Sequence, residues 1–143
     1  MGNPERWQRM VPLPPDIGER VSSLPAFFAK SGVGLAYLFG SWVHGCGKDV
    51  DLAILPHSTK VSEVYSDVCT FLGTDRVDVV NLSTTGIEFA FEVISTGRLL
   101  FSRDDETENK FEARILRQYH DGEYARKILF IRLQEAFSRD RNG

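Results

Sequence analysis

The segment from Tyr37 to Leu55, Tyr-Leu-Phe-Gly-Ser-Trp-Val-His-Gly-Cys-Gly-Lys-Asp-Val-Asp-Leu-Ala-Ile-Leu, constrains this chain more than any other. An apolar run ends at Gly40-Ser41, a glycine-rich turn follows, and Asp49 and Asp51 open a second apolar run. Aspartate is depleted in strands. Side chains alternate across a strand, so Asp49 and Asp51 share one face of it. Two carboxylates held that close repel, and one protonates unless a cation sits between them. Mg²⁺ is commonly bound by one or two carboxylates together with substrate phosphates. The segment therefore reads as half of a metal–nucleotide site carried by two strands and the turn between them.

The rest of the chain supplies the frame. Ile17, Val21, Leu24 and Phe28 recur at helical spacing behind Asp16, a candidate N-cap, and Pro25 predicts a kink or two short helices. Leu35–Phe39 and Asp49–Leu55 are expected strands, with one or two helical turns at Ser41–His44 between them. Val61, Val64, Tyr65 and Val68 stripe a helix over Ser58–Leu72. Arg76–Leu82 is a third strand. A helix capped by Thr84 or Thr85 and closed by Gly97 follows, then a short, edge-like strand at Leu99–Ser102. From Asp104 the chain is helical, with a break or loosening expected at Gly122, so that C-terminal helices fill about 104–138. Tyr119, Tyr124, Ile128, Phe130, Ile131 and Phe137 give that tail more apolar faces than one stripe needs. The order predicts an α+β fold, a small mixed sheet covered by helices. It forms one domain over 1–143, with a flexible N-terminal arm at about 1–14.

Bulk properties narrow the class. The chain has 143 residues, 42% of them hydrophobic and 26% charged, a natural size and balance for one globular core. A net charge of −3 argues against strong nonspecific nucleic-acid binding. No apolar run is long enough for a membrane span, and no signal core precedes the domain. A reducing cytoplasm is the expected location. Cys46 and Cys69 make no disulfide framework. The histidines, His44, His57 and His120, are too scattered for zinc-ligand spacing.

A third carboxylate completes the candidate site. Asp78 lies among Val77, Val79 and Val80, where a lone aspartate is costly unless paired or metal-bound. If the second and third strands are neighbours, Asp78 faces the same ion or takes the proton of an incoming hydroxyl. Gly40 lets backbone approach a phosphate closely, and Ser41 adds a hydroxyl. The pattern of Gly-Ser, spacer, Asp-x-Asp and a later strand aspartate resembles the DNA polymerase β-like nucleotidyltransferases. The size and the Leu-Phe-Gly-Ser-Trp, Val-Asp-Leu-Ala-Ile-Leu, Arg-Val-Asp-Val-Val-Asn-Leu and Gly-Arg-Leu-Leu-Phe segments are similar to the minimal nucleotidyltransferase (MNT) antitoxins of HEPN/MNT toxin–antitoxin pairs. The likeness runs from about Leu35 to Phe111. Its one departure is a spacer of seven residues, Trp42 to Lys48, where about ten are usual for the group.

The resemblance implies the polymerase β-like palm fold. It also implies transfer of AMP from ATP to a tyrosine hydroxyl of a HEPN ribonuclease toxin. On that basis Asp49, Asp51 and Asp78 hold Mg²⁺, two ions being expected, and Asp78 also activates the hydroxyl. Gly40, Ser41 and Lys48 are the candidate nucleotide-binding residues. Two alternatives stand beside this: neutralisation of the toxin by stoichiometric binding alone, or nucleotidyl transfer to a small molecule or a tRNA.

Overall fold

The computed structural model describes residues 11–142, without the side chains of 140–142. Most of the expected N-terminal arm therefore lies outside the described residues. Two short helices, α1 (Ile17–Ser22) and α2 (Leu24–Phe28), open the fold. Pro25 sits in the first turn of α2, where its missing N–H costs nothing. Asp16 does not cap α1; its carboxylate instead accepts from Arg20 Nε at 3.0 Å, one helical turn on.

The sheet is built from β1 (Val33–Phe39), β2 (Val50–Pro56), β3 (Val77–Asn81) and β4 (Arg98–Ser102), in the order β3-β2-β1-β4. A five-residue 3₁₀ turn, Gly40–His44, begins the connection from β1 to its antiparallel neighbour β2. β4 also runs antiparallel to β1 and forms one edge. β2 and β3 are parallel, and a parallel pair needs a crossover. Helix α3 (Val61–Leu72) supplies it and stops at Gly73, whose φ of +71° is a left-handed C-cap. Helix α4 (Ile87–Thr96) links β3 to β4, and its N-cap is Gly86 rather than either threonine.

Period-2 alternation sorts the strands onto two cores. Ala36, Leu38, Val50, Leu52, Ile54 and Val77 face one way, against α1, α2 and α3. Leu35, Tyr37 and Ala53 face the other way, against α4 and the first turns of the last helix. The result is an α+β sandwich of one mixed sheet between two helical layers.

That last helix, α5 (Asp105–Asn142), is the main departure from expectation. It is a single helix of 38 residues that runs through Gly122 without a break. Glycine in a helix costs only about 1 kcal/mol against alanine, which good helix formers on both sides override. His120, expected to end a helix, is an exposed position inside this one.

Candidate active site

The site lies where β1 ends and β2 and β3 begin. Gly40 leaves β1 with φ +72°, a left-handed conformation that side-chain-bearing residues rarely adopt. The Asp51 carboxylate occupies the space a Cβ on Gly40 would need, with Cγ only 3.3 Å from that position. The second residue with a positional requirement is Gly47. A Cβ there would collide with Ser41 Oγ and lie 3.1 Å from Trp42 Cδ1. The returning loop thus packs on the Gly-Ser turn, and Gly45, at φ +87°, closes the 3₁₀ turn before it. The short spacer works because two glycines let the backbone fold back onto Ser41. Trp42 is buried as packing, and His44 is exposed.

Asp51 and Asp78 are register partners on the parallel strands β2 and β3. Register partners point to the same face, with backbones about 4.8 Å apart. Val50, Leu52, Val77 and Val79 take the opposite face into the core with α1–α3. The two aspartates therefore share the α4–α5 side of the sheet, at its uncovered end. One Asp78 carboxylate oxygen, Oδ2, is shut off from solvent. Asp49 lies one residue before β2 and two before Asp51, half-buried. Lys48 is exposed in the turn.

Gly40, Ser41, Asp51 and Asp78 are thus brought together, with Asp49 adjoining them. Lys48 has sequence position alone in its favour. The donor set of carboxylate and hydroxyl oxygens is the kind a hard divalent cation takes. The cradle at Gly40 is shaped by the carboxylate itself. Among the described residues, no three His, Cys, Asp or Glu side chains stand gathered closely enough to hold a metal as they are.

Sequence reasoning missed two charged residues at the same end of the sheet, on its two opposite edge strands. Asp75 precedes β3, and its buried Oδ1 has no hydrogen-bond partner among the described residues. Arg98 begins β4 opposite Leu38, one residue before the end of β1. Neither carries a motif signal; only strand register places them here. Away from the site, the Tyr37 hydroxyl donates to Glu112 Oε2 at 2.6 Å. Burial, then the Glu112 carboxylate, hold that phenol well above its ordinary range.

A family profile described as Polymerase beta, Nucleotidyltransferase matches residues 23–106, more than half of the chain and every residue of the site. The chain belongs to the polymerase β nucleotidyltransferase family. No curated protein matches it by sequence. Its fold is similar to that of a tri-AMPylated Shewanella oneidensis HEPN toxin in complex with MNT antitoxin, with TM-score 0.57, 20% identity, and coverage of 83% of this chain and 98% of that one. A toxin–antitoxin structure with AMP-PNP gives TM-score 0.59 and 21% identity over 82% of this chain and 98% of that one. The MntA-HepT toxin–antitoxin structure gives 0.56 and 20% over 83% and 98%. Among the described residues, no helix is long and apolar enough to cross a membrane.

Proposed function

We propose that this chain is an antitoxin that transfers AMP from ATP to a tyrosine hydroxyl of a HEPN ribonuclease toxin. The observation that carries this reading is the register pair Asp51–Asp78, with the Asp51 carboxylate seated against Gly40. Two carboxylates on neighbouring strands, beside a turn whose backbone is open to close approach, suit a Mg²⁺–triphosphate complex. Similarity to antitoxins found in complex with HEPN toxins supports the partner, and the AMP-PNP and AMPylated neighbours support the nucleotide.

In this reading Asp49, Asp51 and Asp78 would hold the metal, two ions being expected. Bound Mg²⁺ would offset the phosphate charge and make the α-phosphorus more electrophilic. Ser41 and the backbone at Gly40 hold the terminal phosphates. The tyrosine oxygen bonds to the α-phosphorus as the bond from that phosphorus to the bridging oxygen of the β-phosphate breaks. Pyrophosphate leaves with the bonding pair, and the phenolic proton passes to Asp78. The product carries added bulk and negative charge on the toxin.

A second reading, neutralisation by binding without chemistry, is favoured by one observation: the three carboxylates are not already gathered. One experiment separates the two. The chain is incubated with ATP, Mg²⁺ and the HEPN protein of its own locus, and the intact mass of that protein is measured. Transfer adds one or more AMP groups with the wild type and none with Asp51→Asn. An unmodified toxin that is nevertheless fully inhibited, by wild type and variant alike, establishes the second reading.

A further inference from the structure

The Gly40-Ser41 turn stands at the end of a strand with a neighbour on each side. β2 brings Asp51 to one flank of β1, and β4 lies on the other. β4 opens at Arg98, whose register partner Leu38 comes two residues before Gly40. Antiparallel partners have Cα atoms about 4.5–5.5 Å apart. The junction before Arg98 is tightly built. The Gly97 amide donates to the Val93 carbonyl at 2.8 Å, and a Cβ on Gly97 would collide with that oxygen and lie 3.0 Å from the Leu38 carbonyl. Backbone on both sides leaves no room for a side chain, so α4 delivers the chain to β4 at one fixed place beside the end of β1.

Arg98 differs from the other cations on the strands and turns at this end. Arg76 is turned to the Val11 carbonyl, 3.2 Å from its Nε. Arg20, which lies against Gly73, is paired with Asp16 at 3.0 Å. Lys48 stands in the loop that leads to Asp49, on the carboxylate flank. Arg98 is exposed, and among the described residues its side chain enters no hydrogen bond or ion pair. Leu38 turns into the core with α1–α3, and its register partner Arg98 leans to that side of the sheet. The 3₁₀ turn does the same, since Trp42 packs into that core. Asp51 and Asp78 lean to the opposite side. The Gly-Ser turn therefore has carboxylates on one flank and a guanidinium on the other.

Strand order turns this into a sequence of roles. Across β3-β2-β1-β4 the chain sets Asp78, Asp51, Gly40-Ser41 and Arg98 within one residue of a single row. Two strand spacings, about 10 Å, separate the backbone of Asp51 from that of β4. The reacting α-phosphorus belongs beside the carboxylates. The β- and γ-phosphates then extend over the Gly-Ser turn, and the next side chain along the row is Arg98. A cation held by the carboxylates would offset charge at the α-phosphate end, so the far end of the triphosphate needs a positive group of its own. Arginine suits that place because its planar fork takes two phosphate oxygens at once.

We propose that Arg98 binds the β- and γ-phosphates of ATP and holds pyrophosphate as it forms. This rests on the transfer reading. As the tyrosine oxygen bonds to the α-phosphorus, the bridging oxygen departs with the bonding pair, and the Arg98 guanidinium offsets the charge that the leaving group gains. Arg98 is thus a substrate-binding residue for the leaving end of the nucleotide, and the carboxylates serve the reacting end.

The test uses the full chain and three variants: Arg98→Gln, Arg98→Lys, and Arg103→Gln as a charge control at the other end of β4, where the Arg103 amide donates to the Gly34 carbonyl at 2.8 Å. Circular dichroism and melting verify the fold of each. Calorimetry with Mg²⁺ should show Arg98→Gln weakening both AMP-PNP and inorganic pyrophosphate by about 10–100-fold, the range of a lost charge-assisted hydrogen bond. Arg98→Lys should recover part of that loss, and Arg103→Gln should bind as wild type. In the transfer assay Arg98→Gln should raise KM for ATP and leave KM for the toxin unchanged. Wild-type affinity of Arg98→Gln for AMP-PNP and pyrophosphate overturns the inference and leaves the transfer reading intact. An equal loss in Arg103→Gln makes the effect one of net charge and also overturns it. A wild type that binds AMP-PNP but transfers nothing overturns the transfer reading, while Arg98 is still judged from affinity. A wild type that binds neither AMP-PNP nor pyrophosphate overturns both.

Discussion

At the scale of single residues, the site depends on two positions that reject ordinary side chains and on a pair of like charges. Gly40→Ala places a Cβ in left-handed backbone and against the Asp51 carboxylate. The conformational part alone costs about 1–2 kcal/mol. The displaced carboxylate should lower AMP transfer by more than that stability loss accounts for, which parallel melting and transfer assays resolve. Asp51→Asn removes half of a like-charge pair, so the melting temperature should hold or rise while transfer is lost. A large drop in melting temperature would give Asp51 a structural role instead. Much of the candidate site was legible in the sequence, because an aspartate among valines is costly without a reason and because Gly-Ser, Asp-x-Asp and a later strand aspartate occur in combination. Gly47 was legible only as a turn former. Its contact with Ser41 is tertiary, as is the placement of Asp75 and Arg98 at the same end of the sheet, and a linear pattern does not carry such facts.

At the scale of elements, the strands and α3 followed from alternation and helical spacing, and Pro25 divided the first helices as its chemistry requires. Local signals failed where another local interaction competed: Asp16 pairs with Arg20 one turn on rather than capping, and Gly122 lies within a continuous helix carried by the helix formers around it. A Cβ at Gly122 meets only Arg126 Nη1 at 3.6 Å, ordinary contact. Gly122→Ala should therefore stabilise α5 by about 0.5–1 kcal/mol, seen as slower amide exchange around that turn. Phe111→Ala empties a buried position between α5 and the sheet and should cost about 3–5 kcal/mol in urea unfolding. At the start of α5, Asp104 Oδ1 accepts from the Thr107 amide at 2.6 Å. That backbone hydrogen bond, then Thr107's further bonding and Arg103, hold the carboxyl below its usual 3.8. A lowered folded value means a contribution fully present above the unfolded pKa and lost as pH falls through the folded one. Asp104→Ala should thus melt earlier than wild type at neutral pH, with the gap narrowing in acid below the normal aspartate range.

At the scale of the whole molecule, two helical layers clamp the sheet and leave one end of it open, and the site occupies that end. The crossover α3 makes β2 and β3 parallel, and that topology sets Asp51 beside Asp78. The sequence order implied a mixed sheet. The pairing of strands and the extent of α5 rest on packing across the fold, beyond the reach of periodicity. α5 fixes the second layer with its first turns and projects with its last. The account is tested most directly by calorimetric titration with a non-hydrolysable ATP analogue, with and without Mg²⁺, on the wild type, Asp51→Asn and Asp78→Asn. Binding should require Mg²⁺ and be lost in either variant. Equal affinity in all three proteins, indifferent to the metal, would contradict a site built on those two carboxylates.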